Sequence, residues 1–244
     1  MQDGNPAKRI EAVIALGVVR PQARPLRTAE EALKDKDSGV RQAACSTLGE
    51  MRSRAALPGL REALNDDAPE VVFAAAKALY AMNDPAGRTV LIGVLEGDRA
   101  GSSGFVSSSM REMKLKMHDP KALLLIGINQ SAGLLGPFGM GIPIAERLMK
   151  DSQASGKTIA ALLLATDRTE ESKQALRTAL EDKNWTVRVA AARAVALRDL
   201  TDLYKDVAPL LDDKRDEVRY AAAATLIRLR QAQNKTPRRK PGRS

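Results

Sequence analysis

The sequence predicts an all-α chain: a solenoid of stacked two-helix repeats with one irregular insertion. Three observations predict it. The first is a recurring string, Asp, four residues, Val-Arg, then an Ala-rich apolar run. It occurs at Asp35…Val40-Arg41-Gln42-Ala43-Ala44, Asp182…Val187-Arg188-Val189-Ala190-Ala191 and Asp213…Val218-Arg219-Tyr220-Ala221-Ala222, and without the Arg at Asp66…Val71-Val72-Phe73-Ala74-Ala75. The second is spacing: Val71 follows Val40 by 31 positions, and Val218 follows Val187 by the same 31. A fixed period of this size marks supersecondary units that bury their apolar faces on one another. The third is composition. Of 244 residues, 44% are hydrophobic and only 3% aromatic, which suits helices packed through Ala and Leu and argues against a β-sandwich.

Each unit has two elements. The first helix precedes the Asp, with apolar residues at helical spacing in Ala29–Leu33, Leu57-Leu60-Leu64, Leu176-Leu180 and Val207-Leu210-Leu211. The second begins at the Val, with apolar residues at offsets 0, 3, 4, 7 and 8; in one copy these are Val187, Ala190, Ala191, Ala194 and Val195. That is one stripe of a 3.6-residue helix, and the Ala at offsets 3 and 4 lets second helices approach closely. The Asp is expected in the turn, where its carboxylate accepts orphan N–H groups of the following helix. The Arg lies near the seam, where its planar fork suits a carboxylate of an adjacent unit. Asp35, Arg41, Asp66, Asp182, Arg188, Asp213 and Arg219 are therefore read as a structural ladder, not as catalytic groups.

Weaker copies extend the array to seven candidate second helices. Asp3…Lys8-Arg9…Ala12…Leu16-Gly17 matches the second half of a unit, so the chain opens in mid-repeat. Either a leader has been removed or this half-unit is itself the cap. Val106, 35 positions after Val71, opens another candidate; Ser152…Lys157-Thr158-Ile159-Ala160-Ala161-Leu162 sets Lys157 at the Val position, 30 residues before Val187.

These strings resemble short HEAT repeats of the phycobilisome-lyase-like kind, over most of residues 3–232. The resemblance implies a right-handed superhelix with the second helices lining a concave face. The expected organisation is one solenoid domain, 1–232, with an insertion at about 98–141 where the period fails, and a basic disordered tail, 233–244. Among enzymes of similar repeat type, deoxyhypusine hydroxylases hold two irons with repeated His-Glu pairs. This sequence has none, and its only histidine, His118, precedes Asp119. DNA glycosylases of this type use a cleft with aromatics and a carboxylate, whereas the single Trp185 is expected in a turn at the solenoid edge. Bilin lyases share the scaffold residues alone.

The formal net charge is +9, and Gln231–Ser244 contributes Lys235, Arg238, Arg239, Lys240 and Arg243 with no acid. The tail thus carries most of the excess and could attract nucleic acid non-specifically. Cys45, the one cysteine, allows no intramolecular disulfide and is read as a small buried residue. Compartment is not legible: the cytoplasm is the default, and an exported mature form is the alternative if a leader was removed.

Periodicity fails between Val106 and Lys157. A Gly/Ser stretch at Gly101–Ser109 leads to Ala122–Ala145, which carries no formal charge. Gly127, Gly133, Gly136, Gly139, Gly141, Pro137 and Pro143 interrupt that run and argue against a membrane-spanning helix. Two readings remain: core helix and loop, or a recognition loop that shows Leu134, Leu135, Phe138 and Met140 to a partner or a membrane surface. Ser155-Gly156-Lys157-Thr158 ends like a phosphate-binding loop, but Asp151 stands where its first Gly belongs and no strand precedes it.

On the second helices the outward stripe falls at offsets 2, 6 and 9. It comprises Phe73, Lys77 and Tyr80; Val189, Arg193 and Ala196; and Tyr220, Ala224 and Ile227. Aromatic and Arg side chains are common interface anchors, although offset 2 can equally pack on the next unit. The reading is a monomeric, non-catalytic scaffold for a protein or peptide, with Phe73, Lys77, Tyr80, Arg193 and Tyr220 on its binding face and no cofactor or metal. The alternatives are a HEAT-type enzyme or a membrane-surface binder.

Overall fold

The computed structural model describes residues 4–18, 23–97 and 155–235. The insertion residues Leu134, Leu135, Phe138 and Met140, His118, and the tail beyond Lys235 lie outside them. Contacts divide the chain into two compact units, Met1–Gln153 and Ala154–Ser244, described separately below.

In the first unit α1 (Pro6–Gly17), α3 (Ser38–Met51) and α5 (Pro69–Ala81) are the second helices, stacked in that order. Helix α2 (Ala23–Ala32) lies against α1 and α3, while α4 (Leu57–Glu62) and α6 (Pro85–Glu96) lie against α5. Side-chain caps start three of these helices. Asn5 accepts from Ala7 N, Asp37 from Val40 N, and Asp84 from Ala86 N. Proline at the first turn opens α1, α5 and α6, where its missing N–H costs nothing. The chain reverses at Arg52 and Asn83, both in the left-handed region at φ 50 and 60. The first helix before α5 is not continuous: short 3-10 turns at Arg54–Ala56 and Ala63–Asn65 flank α4.

Small residues set the spacing of α3 and α5. A Cβ on Gly49 would lie 2.8 Å from the Ala78 Cβ and 3.0 Å from its Cα. Thr47 Oγ1 donates to the Val13 carbonyl at 3.2 Å, so a buried hydroxyl between α1 and α3 is satisfied across the helix pair. Cys45 is fully buried, and burial pushes its thiol up to about 12; it is an inert packing group, as expected.

In the second unit α7 (Ser155–Leu164), α9 (Trp185–Leu197) and α11 (Asp216–Lys235) are the second helices, α7 on α9 and α9 on α11. Helix α8 (Glu170–Ala179) packs on α7 and α9. The next first element is again broken: α10 (Tyr204–Val207) lies between 3-10 turns at Thr201–Leu203 and Ala208–Asp212. Pro209, early in the last of these turns, cannot donate to the preceding helix turn. Thr169 caps α8 through Ser172 N, and Asn184 caps α9 through Thr186 N. Leu164, Leu176, Leu180, Val187, Val195 and Leu229 are fully buried and form the core of this unit. Among the described residues there is no strand and no helix long and apolar enough to cross a membrane.

Candidate binding face

The Asp/Arg strings form an ion-pair ladder between consecutive repeats. Arg9 Nε and Nη2 donate to both oxygens of Asp35 at 2.8 Å. Arg41 grips Asp66 at 2.7 and 2.8 Å, and Arg188 grips Asp213 at 2.8 and 2.9 Å. The third donor of the fork turns back onto its own repeat. Arg41 Nη1 donates to the carbonyls of Asp35 and Lys36, Arg188 Nη1 to those of Asp182 and Lys183, and Arg219 Nη1 to that of Asp213. One guanidinium therefore ties the entry turn of its own repeat to the Asp of the next. Arg219, on the last described second helix, turns to Asp216 within its own first turn.

Two details differ from the sequence reading. The ladder Asp is not the helix cap. Asp35, Asp66, Asp182 and Asp213 each accept from the backbone N–H two residues on, at Asp37, Ala68, Asn184 and Arg215. Capping falls to Asp37 and Asn184 because those residues, not the ladder Asp, directly precede the first helical turn. Lys157 also lies one register on from the expected position. Its Nζ is 2.8 Å from Asp182 Oδ2, so it holds the Arg position, with Gly156 at the Val position. The phosphate-loop lookalike is thus one rung of the ladder.

Asp35 titrates below the ordinary carboxylate value because of the Arg9 hydrogen bonds. For Asp66 and Asp213 burial pushes upward, but the Arg41 and Arg188 hydrogen bonds and a turn N–H outweigh it, and both end lowered. A carboxylate lowered on folding stabilises the fold above its unfolded pKa and loses that contribution as pH falls through the folded one. Urea midpoints should therefore be level from pH 7 to about 5 and fall below about 4. Asp213→Asn should show a smaller acid drop than the parent; equal midpoints for the parent at pH 7 and pH 3 would refute the assignment.

The outward stripe divides by position in the stack. Phe73 is 2% exposed, a correction to its placing on an open face. An aromatic ring at offset 2 on an interior helix is taken into the packing, with Lys77 Nζ 6.0 Å from its centre. Lys77 and Tyr80 are half-buried; burial lowers Lys77 to about 8 against a smaller upward pull from Glu50. Val189 is buried too, and Arg193 is half-buried. On α11, by contrast, Tyr220 is 71% and Ile227 61% exposed, and Ala224 between them is exposed. Trp185, expected in a turn, is the first residue of α9, and Arg215 stacks over its ring at 5.0 Å, a cation–π contact between repeats.

One polar cluster escaped the sequence reading. Asp167 Oδ1 accepts from Thr169 N and from Ser172 Oγ at 2.8 and 2.9 Å, and Arg198 Nη1 donates to Ser172 Oγ at 2.9 Å. It ties the start of α8 to the end of α9. No repeated string announces it, because its members come from two turns about 30 residues apart. Among the described residues no set of His, Cys, Asp and Glu is placed to hold a metal ion.

Stacked helix pairs joined by an Arg/Asp ladder define an α-helical repeat protein. The model for HEAT repeats matches residues 1–72, 27–102 and 143–228, well over half of the chain, and the chain belongs to the HEAT-repeat family. Among solved structures, the complex of CpcE and CpcF of phycocyanin lyase from Nostoc sp. is similar at 17% identity and TM-score 0.43, covering 96% of this chain and 89% of that one. Human deoxyhypusine hydroxylase in complex with glycerol is similar at 17% identity and TM-score 0.36, covering 94% and 92%. An engineered protein is similar at 19% identity and TM-score 0.37, covering 84% and 96%. The search of curated proteins found no match.

Proposed function

We propose that this chain is a non-catalytic scaffold that holds a protein or peptide on the face formed by its second helices. The supporting observation is the contrast along that face. Ladder charges are engaged between repeats, whereas Tyr220 and Ile227 on α11 are exposed apolar groups with no share in the ladder. Large apolar side chains grouped on one helix face favour a partner, and tyrosine is among the usual anchors. The chemistry of the repeats themselves fits holding rather than reaction: the recurrent ionisable groups are ion-paired in the seams.

A photo-crosslinking amino acid at position 220 or 227 tests this in cells that naturally express the chain. Discrete adducts are expected from both positions. Leu211, also exposed but on the other element of its repeat, is the control. Equal labelling from 211, or none from 220 and 227, would refute the reading.

A further inference from the structure

Charge is segregated by helix type in the second unit. Helices α7 and α9 contain no acidic residue, and α11 has only Asp216 and Glu217, in its first turn. The acids lie in the turns and on the first elements, as with Glu170, Glu171, Asp202 and Asp206. Most bases on the second helices are held by carboxylates: Lys157 by Asp182, Arg188 by Asp213 and Arg228 by Asp199, all in turns, and Arg219 by Asp216 of its own helix. Arg230 is exposed to solvent. Arg193 is different. It is half-buried in the middle of α9, no carboxylate faces it among the described residues, and burial lowers its pKa with no acid acting against it.

Its counterpart on the next second helix is apolar. Ala224 follows Arg193 by one repeat period of 31 residues, and Thr225 Oγ1 donates to the Ala192 carbonyl at 3.1 Å. That bond brings Ala192-Arg193 and Ala224-Thr225 to the same level of the two packed helices. Tyr220 and Ile227 stand one turn to either side of Ala224, both exposed. A partly desolvated guanidinium beside apolar groups is short of an anion. Its planar fork matches a carboxylate. Phosphate recognition draws on clusters of arginines, whereas here there is one.

We propose that this face takes an acidic peptide segment, with an internal Asp or Glu carboxylate on Arg193 and a neighbouring aliphatic or aromatic side chain against Tyr220 and Ile227. This rests on the binding reading above and names its ligand.

The test pans a random 12-residue peptide library, displayed on phage, against the full chain. The strongest sequence is then made with an amidated C-terminus and measured by fluorescence anisotropy. Enriched peptides should pair one Asp or Glu with an apolar residue. Arg193→Gln should weaken binding roughly 10- to 100-fold, the span of a charge-assisted hydrogen bond. Replacing the peptide's acid by its amide should cost the same factor against the parent and almost nothing against Arg193→Gln. Arg193→Lys should restore part of the affinity, and circular dichroism of each variant reports folding. Peptides that lose affinity with Tyr220→Ser but not with Arg193→Gln would overturn the carboxylate assignment and leave the face as a binding site. No enrichment, or peptides insensitive to both variants, would overturn both.

Discussion

Arg188→Ala should destabilise the second unit by about 3 kcal/mol, the cost of removing one partner from a largely buried ion pair. The side chains of Arg188 and Asp213 are only 14% and 11% exposed. The substitution removes two bonds to Asp213 and two to the carbonyls of Asp182 and Lys183. It leaves a carboxylate with one turn N–H, from Arg215, and frees the turn that starts α9. Arg188→Lys should recover part of the loss. Lysine supplies the charge but not the fork, and the natural Lys157 rung makes a single 2.8 Å bond to Asp182. Urea unfolding followed by circular dichroism measures this. Since neighbouring repeats are coupled only through their interfaces, hydrogen exchange should quicken first in the turns before α9 and α11. An unchanged midpoint would show that the ladder contributes nothing to the fold.

Gly87→Ala should also cost about 3 kcal/mol, the upper part of the usual overpacking range, and its sign is the informative part. In an exposed helix the same change would stabilise by about 1 kcal/mol, because glycine is a poor helix former. Gly87 lies in the first turn of α6, where a Cβ would be 2.4 Å from the Tyr80 nitrogen, 2.5 Å from the Ala76 carbonyl oxygen and 2.9 Å from the Leu79 Cβ. Two of these are backbone atoms of α5, which no rotamer change can move aside. Helix α6 would have to lift from α5, and with it the buried Val90, Leu91 and Val94. Thermal unfolding beside the parent decides it: a raised melting temperature would mean that α6 does not sit this close.

The architecture was legible because a helical repeat writes its packing into sequence more than once. The Val at offset 0 and the Ala at offsets 3 and 4 mark the buried stripe wherever they recur, and Val40, Val71, Val187 and Val218 are all fully buried. The Asp and Arg recur for the same reason. Each unit must solve the same seam, so the pairing of Arg41 with Asp66 is repeated by Arg188 with Asp213.

What the sequence could not decide is whatever depends on a residue's place in the stack. Phe73 and Tyr220 share offset 2, yet one is buried and the other open: α5 has both α3 and α6 packed on it, whereas among the described elements α9 is the one second helix packed on α11. Register of a degenerate copy is of the same kind. Lys157 is recognised as a rung by the carboxylate it reaches, not by the residues beside it. The close approach at Gly87 and the stacking of Arg215 on Trp185 involve residues that do not recur in the other copies, so no repeated string announces them. The offset pattern alone determined which side of each second helix faces outward. Whether that side meets solvent, as at Tyr220, or is closed over, as at Phe73, is set by what packs against it, and only the tertiary structure supplies that.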